Sequence, residues 1–187
     1  MRVITIDFET YYSREYSLSK MTTEAYVRDP RFEVIGVGVK VDDNPPDWYS
    51  GEDVGRFLNS LDYSEDAILA HNTVFDGAIL SWLYGIKPRF WFDTLSMARP
   101  FHHSTVGGSL KALANFYNLG QKGDEVIQGL GKKRNDFSPQ ELDKYADYCL
   151  QDVNLTYKLY NKLRPKVPVS ELMIIDQTIR MYTEPTV

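Results

Sequence analysis

The chain has 187 residues, of which 43% are hydrophobic and 13% aromatic, which fits one globular domain and excludes a disordered chain. No apolar run approaches the roughly 18–20 residues of a membrane span, and the single cysteine, Cys149, suits the reducing cytoplasm in which we expect this protein. The net charge of −5 excludes an overall basic surface for duplex DNA, so any nucleic-acid contact is expected to be local or metal-mediated.

Strands dominate the first part of the chain. Alternating and β-branched residues predict strands at 2–7, 33–42 and around Trp48. The helical spacing of apolar residues from Val54 to Leu61 then predicts a helix with one buried face. The apolar run 67–70 predicts a further strand, and residues 74–84 predict a helix that ends at Gly85.

Helices dominate the second part. An extended piece at Phe92-Asp93 is followed by predicted helices at 95–99, 110–117 and 139–163. The last of these has the clearest start, because Ser138 and Glu141 form a capping box. His102 and His103 are expected to be loop residues. This order of elements predicts an α/β mixed sheet, antiparallel at its start and parallel after the first crossover.

Two acidic residues, Asp7 and Glu9, end the first strand on the same face, because side chains alternate along a strand. Two carboxylates this close repel each other and raise each other's pKa. Two explanations remain open at this point. Either that face lies in water, or something strongly positive lies between the carboxylates.

Further acids lie where they could approach this pair. Asp76 is expected in the first turn of a helix that follows a strand, and Asp152 lies four residues after Tyr148 on the capped helix. Each has an ordinary alternative, since an acid at a helix start is more often a cap and a helical tyrosine usually packs in the core. Asp147 is expected on the solvated side of its helix.

Taken in order, three motifs resemble those of the DEDDy branch of the DnaQ-like 3′–5′ exonucleases. They are Asp7-Phe8-Glu9, Asn72-x-x-x-Asp76 and Tyr148-x-x-x-Asp152, with Asp93-Thr94 as a weaker match. The branch includes proofreading domains of family A and family B DNA polymerases and RNase D-like enzymes. The resemblance spans residues 2–163 and implies an RNase H-like mixed sheet with helices on both faces.

The resemblance also implies two-metal hydrolysis of phosphodiester bonds, which releases nucleoside 5′-monophosphates. Two ions, Mg²⁺ or Mn²⁺, would lie about 3.5–4 Å apart and clamp the scissile phosphate. By motif position, Asp7 bridges both ions, Glu9 and Asp152 bind the first, and Asp76 serves the second. Tyr148 orients the attacking water. On this interpretation, cations explain why Asp7 and Glu9 share a face.

Substrate contacts follow from the same resemblance. The expected partner is the 3′ end of single-stranded DNA. His71 and Asn72 are positioned to touch the terminal nucleotide, Thr10 to contribute a backbone contact beside its base, and Tyr12 or Tyr11 to stack on a base.

We expect residues 1–165 to form the exonuclease domain and 166–187 a helical linker toward the polymerase domain of a longer, phage-type family A polymerase, which would act in the cytoplasm of a bacterial host. One alternative is a stand-alone DEDDy exonuclease that acts on RNA or DNA. Another is a catalytically silent domain that binds single strands, against which five intact catalytic-type residues argue.

Overall fold

The computed structural model describes residues 1–121 and 129–184, and its strands form a single five-stranded sheet. The strands are β1 (Val3–Thr10), β2 (Val34–Val41), β3 (Asp47–Ser50), β4 (Ala67–Ala70) and β5 (Phe90–Asp93). Their order across the sheet is β3-β2-β1-β4-β5. The β1–β2 and β2–β3 pairs are antiparallel, whereas β1–β4 and β4–β5 are parallel. The predicted mixed sheet is confirmed.

The helices occupy the intervals between strands and most of the second half. They are α1 (Thr23–Arg28), α2 (Glu52–Leu58), α3 (Thr73–Tyr84), α4 (Thr94–His102), α5 (Leu110–Phe116), α6 (Pro139–Leu163) and α7 (Val169–Thr183). Over the described parts of the chain, none of these helices combines the length and the apolar character needed to cross a bilayer.

Helices cover both faces of the sheet, as expected for an RNase H-like fold. On one face α1, α2 and α3 pack against the apolar side of β1 and β2. On the other face α4, α5 and α6 bury a second cluster around Leu69 and Phe92. The helix α7 contributes Ile179 to the first cluster and Leu172 to the second. Two separate apolar layers therefore hold the sheet between them.

Strand β1 carries the polar residues of interest on its α6 side. Ile4, Ile6 and Phe8 alternate into the α1–α3 core, which leaves Asp7 and Glu9 on the opposite face. Gly38 of β2 is the register partner of Asp7. A Cβ atom at Gly38 would lie 2.9 Å from Val153 Cγ2 and 3.0 Å from Cys149 Sγ of α6. The missing side chain thus lets α6 approach the sheet beside Asp7.

The capping box predicted at the start of α6 is present. The Ser138 hydroxyl accepts from the Glu141 N–H at 3.1 Å, and the Glu141 carboxylate accepts from the Ser138 N–H at 3.0 Å. Glu141 also forms an ion pair with Lys132. A long helix is therefore fixed at its first turn, and it carries the third motif.

One local prediction was wrong, and one helix was missed. The helix predicted to end before Pro100 continues to His102, so His102 is a buried helical residue and not a loop residue. Its ring packs on Phe116 at a centroid distance of 4.7 Å, and its Nε2 atom is hydrogen-bonded to the Tyr117 hydroxyl. These tertiary contacts outweigh the tendency of a proline to end a helix. The six-residue helix α1 was not predicted at all.

The segment 166–187 forms α7 over most of its length and packs on the outer strand β5. Leu172, Ile179 and Thr183 are buried, and the Asp176 carboxylate accepts the Trp91 N–H at 2.8 Å. Residues 185–187 of the predicted linker lie outside the described residues. The boundary at residue 165 stays a prediction.

Candidate active site

A cavity of about 310 Å³ opens between the middle of β1 and α6. Strand β1 contributes Asp7 and Glu9 to the cavity lining, and α6 contributes Asp152. His71, the residue directly after β4, also lines the cavity. The remaining lining residues are Ile6, Phe8, Leu110 and Thr156. Three of the four predicted metal ligands thus converge on one cavity from elements distant in sequence.

Asp7 and Glu9 are half-buried side by side. Potential ligand atoms of Asp7, Glu9 and Cys149 all lie within 4.8 Å of one another. Burial, followed by the charges of Asp7 and Asp152, holds the pKa of Glu9 well above its ordinary range. Both carboxylates are thus partly withdrawn from water, unlike those of a fully solvated strand face.

Asp76 is held by the backbone of β1. The parallel pairing of β1 with β4 ends at Thr5 and Leu69, and the N–H of Phe8, beyond that point, donates to Asp76 Oδ1 at 2.9 Å. Asp76 is only 3% exposed. Burial, and next the Asp7 charge, raise its pKa well above the ordinary value. The bond to the Phe8 N–H therefore holds Asp76 beside the residue that follows Asp7 on β1.

Helix α6 carries the third motif. Asp152 is buried, whereas Tyr148, one turn earlier, is half-buried with Lys144 Nζ 6.0 Å from its ring centroid. Among the described residues, Tyr148 is not one of those that line the cavity. Asp147 is exposed, as predicted.

A second cavity, of about 250 Å³, adjoins the first and shares Phe8 and Glu9 with it. Its other lining residues are mostly aromatic or small: Thr10, Tyr12, Ser17, Leu18, Tyr26 and Phe75. The Thr10 and Tyr26 hydroxyls are 2.8 Å apart, so one donates to the other. Two of the predicted substrate-binding residues, Thr10 and Tyr12, thus line a cavity that shares Phe8 and Glu9 with the main one.

His71 and Asn72 have different surroundings. The His71 ring lines the main cavity, while its Nε2–H donates to the Gly108 carbonyl and its Nδ1 atom lies 2.7 Å from the Thr94 hydroxyl. Asn72 is exposed and adopts a left-handed conformation (φ 72°) at the start of α3. Its N–H donates to Asp93 Oδ1 at 2.8 Å. Asp93 and Thr94 therefore hold these two residues in place.

Two residues at the site were missed in the sequence. The Cys149 thiol donates to the Asp7 backbone carbonyl at 3.4 Å, and the Tyr145 hydroxyl donates to Glu9 Oε2 at 3.1 Å. Burial is the main cause of a raised pKa at both, so each keeps its proton and acts as a donor. Their helical spacing from Asp152, which places all three on one face of α6, was the available signal.

The carboxylates at and beside the main cavity fit hard divalent cations. Asp7, Glu9, Asp76 and Asp152 offer only oxygen donors, which Mg²⁺ and Mn²⁺ prefer. Burial, and next the charge of Asp7, raise the pKa values of Glu9 and Asp76, and bound cations would offset both effects.

The chain is similar to several known proteins. It is 25% identical over 207 residues to a DNA polymerase of Bacillus phage SP02. The alignment covers 96% of this chain and 31% of the polymerase. The chain therefore spans about a third of that relative's length. RNase D of Trypanosoma brucei, solved with GMP, superposes with a TM-score of 0.71 at 15% identity over 98% of this chain and 58% of RNase D. NrnC of Brucella melitensis with bound Mg²⁺ gives a TM-score of 0.67 at 15% identity over 97% of this chain and 81% of NrnC.

The two structural likenesses establish the fold, because their sequence identities are low. The decisive comparison is with a family model, DNA_pol_A_exo1, described as 3′-5′ exonuclease, which matches residues 2–168. The match includes β1, the start of α3 and the whole of α6. It confirms the resemblance drawn from the three motifs, and the chain accordingly belongs to the 3′-5′ exonuclease family.

Proposed function

We propose that this chain is a metal-dependent 3′–5′ exodeoxyribonuclease that removes nucleoside 5′-monophosphates from the 3′ end of single-stranded DNA. The observation that carries the proposal is the convergence of Asp7, Glu9 and Asp152 on one cavity, with Asp76 beside Asp7. The polymerase of phage SP02 supports DNA as the substrate and proofreading as the task.

Asp7, Glu9, Asp76 and Asp152 would hold two divalent cations, Mg²⁺ or Mn²⁺. Such ions polarise phosphate oxygens and lower the pKa of water. Asp7 has the most central place, because it lies two residues from Glu9 on β1 and next to Phe8, whose N–H donates to Asp76. As the resemblance implies, Asp7 would contact both ions, Glu9 and Asp152 one of them, and Asp76 the other. Tyr148, one turn before Asp152, would orient the attacking water through its hydroxyl.

The second cavity would receive the terminal base. Its aromatic lining, with Tyr12 and Phe75, suits stacking on any base, and Thr10 is a buried member of the same lining. Because Glu9 borders both cavities, a base held there would bring its phosphodiester to the carboxylates. His71 would pack against the nucleotide through its ring, since both ring nitrogens are engaged. Asn72, which is exposed at the start of α3, would make a polar contact.

We further propose that residues 1–165 act as the exonuclease domain and 166–187 as the connection to a polymerase domain. The SP02 polymerase supports this, because the chain matches only 31% of its length. The packing of α7 against β5 would then fix the direction in which the connection leaves the exonuclease fold.

The experiment follows the degradation of a 5′-labelled single-stranded DNA and of RNA of the same sequence, with Mg²⁺ or Mn²⁺ and with EDTA. We expect stepwise shortening of the DNA from its 3′ end, and no reaction in EDTA. Asp152→Asn should abolish activity, whereas its matched control Asp147→Asn, on the exposed side of the same helix, should retain it. Full activity in EDTA or cleavage at internal positions would overturn the proposal. Faster degradation of the RNA would show that RNA, and not DNA, is the substrate.

A further inference from the structure

A buried phenol, Tyr145, lies directly against Glu9. Its hydroxyl donates to Glu9 Oε2 at 3.1 Å, and its side chain is 2% exposed. The ring packs in a small apolar cluster with Ile35 and Phe137, the latter at a centroid distance of 5.2 Å. A ring enclosed in this way cannot turn its hydroxyl elsewhere, so the bond to Glu9 has one geometry.

Tyr145 shares its helix face with the third motif. At 100° per residue, Tyr145, Cys149 and Asp152 lie within about 60° of one another around α6. Asp152 and the donor to Glu9 are therefore carried by the same rigid element. The distance between Glu9 and Asp152 depends on how this face of α6 meets β1.

The backbone at Gly129 also lies against the Tyr145 hydroxyl. A Cβ atom at Gly129 would lie 2.9 Å from the Tyr145 hydroxyl oxygen and 3.2 Å from Tyr12 Cε1. Two residues later, the Gly131 N–H donates to the Tyr12 carbonyl at 2.8 Å. The hydroxyl is thus confined between the Gly129 backbone and the Glu9 carboxylate.

We propose that Tyr145 is a positioning residue for metal binding, which acts by occupying one oxygen of Glu9 and orienting the other toward the cation. The inference rests on the proposed function, because it assumes that Glu9 is a metal ligand. Groups that hydrogen-bond to a ligating carboxylate fix its orientation, and their loss typically lowers metal affinity or activity by about 10–100-fold. A core tyrosine without this role would affect stability alone.

The test is Tyr145→Phe, which keeps the ring and removes the hydroxyl. We expect the affinity for Mn²⁺, measured by calorimetry in the absence of DNA, to fall about 10-fold or more. The Mn²⁺ concentration for half-maximal turnover should rise by the same factor, while kcat at saturating Mn²⁺ stays within a few-fold of wild type. The melting temperature in EDTA should fall by only a few degrees.

Tyr63→Phe is the matched control. Tyr63 is also buried, its hydroxyl donates to the Leu58 carbonyl at 2.9 Å, and it lines neither of the two site cavities. This variant should lose stability to a similar extent with Mn²⁺ affinity unchanged. Equal melting temperatures for the two variants, with wild-type Mn²⁺ affinity in both, would show that Tyr145 is only a core residue.

A second variant, Gly129→Ala, places a methyl group against the Tyr145 hydroxyl and leaves Tyr145 itself unchanged. It should also weaken Mn²⁺ binding, and it carries the test if Tyr145→Phe fails to fold; unchanged Mn²⁺ affinity in a folded Gly129→Ala protein would count against the proposal. The inference and the proposed function fail separately. Wild-type protein that binds Mn²⁺ and degrades DNA retains the proposed function whatever Tyr145→Phe does, whereas wild-type protein that binds neither Mn²⁺ nor Mg²⁺ and degrades no DNA refutes both.

Discussion

Asp76 combines a structural contact and a proposed metal contact in one carboxylate, and its two oxygens allow the roles to be separated. Asp76→Asn keeps a carbonyl oxygen that accepts the Phe8 N–H, but it removes the charge. We expect this variant to lose nuclease activity and to keep its stability. Asp76→Ala should lose both, because a buried N–H left without an acceptor costs about 1–3 kcal/mol.

Urea unfolding in EDTA, together with a turnover assay in Mn²⁺, distinguishes the two variants. The expected loss of about 1–3 kcal/mol in Asp76→Ala corresponds to several degrees in melting temperature for a chain of this length. If Asp76→Asn degraded DNA at the wild-type rate, the carboxylate would have only its structural role, and the four-acid assignment would be wrong.

Residues on one strand or helix could be related from local spacing, and the family resemblance implied that Asp7, Glu9 and Asp152 meet in one site. Contacts outside the three motifs could not be predicted. Asp7 and Glu9 share a face because of strand alternation alone. The contact of Tyr145 with Glu9 joins residues 136 positions apart, and no local pattern encodes it. Asn72 was predicted beside the nucleotide from its motif, yet its left-handed backbone and its bond to Asp93 appear only in the structure.

At the scale of elements, the close approach of α6 to β2 depends on Gly38. We expect Gly38→Ala to shift α6 by a few tenths of an ångström, because its new Cβ would meet Val153 and Cys149 at about 3 Å. Overpacking of this kind typically costs about 1–3 kcal/mol. Turnover should fall as well, since Asp152 moves with the helix.

The matched control is Gly55→Ala in α2, where the nearest atom, Tyr84 Cε1, would be 3.7 Å away. There alanine fits without displacement and favours the helix by up to about 1 kcal/mol. Both variants are compared by melting temperature and by turnover in Mn²⁺. Wild-type stability and turnover in Gly38→Ala would mean that α6 is not closely packed against β2 beside Asp7.

Elements with strong end signals were predictable, and those stabilised by tertiary packing were not. The capping box fixed the start of α6 in advance. The end of α4 was placed too early, because Pro100 normally stops a helix and the packing of His102 on Phe116 was invisible in the sequence. The order of strands and helices still sufficed for the sheet's mixed topology.

At the scale of the whole molecule, the buried carboxylates make stability depend on pH. The pKa values of Glu9 and Asp76 are raised in the folded state, whereas in the unfolded chain each acid loses its proton near about pH 4. Above that pH the folded state holds more protons than the unfolded state, so the free energy of unfolding decreases as pH rises. The decrease is complete once pH exceeds the raised pKa values.

We therefore expect the melting temperature in EDTA to fall as pH rises above about 4, until pH exceeds the raised pKa values of Glu9 and Asp76. Asp7→Asn should flatten this dependence, because the Asp7 charge contributes to both raised pKa values. Mn²⁺ at 100 times its Kd should add about 2.7 kcal/mol of stability at pH 8. A melting temperature in EDTA that rises over the same interval would contradict this account of the cluster.

The contact of α7 with β5 also bears on how the molecule avoids unwanted association. A strand at the margin of a sheet presents N–H and C=O groups that can template a strand from another chain. Here the Asp176 carboxylate takes the Trp91 N–H, and the Arg180 guanidinium donates to the Pro88 and Arg89 carbonyls. Removal of α7 would uncover these groups together with the apolar side chains beneath it. A shortened exonuclease that ends at residue 165 would therefore expose β5 as an edge strand, prone to intermolecular β-pairing and aggregation.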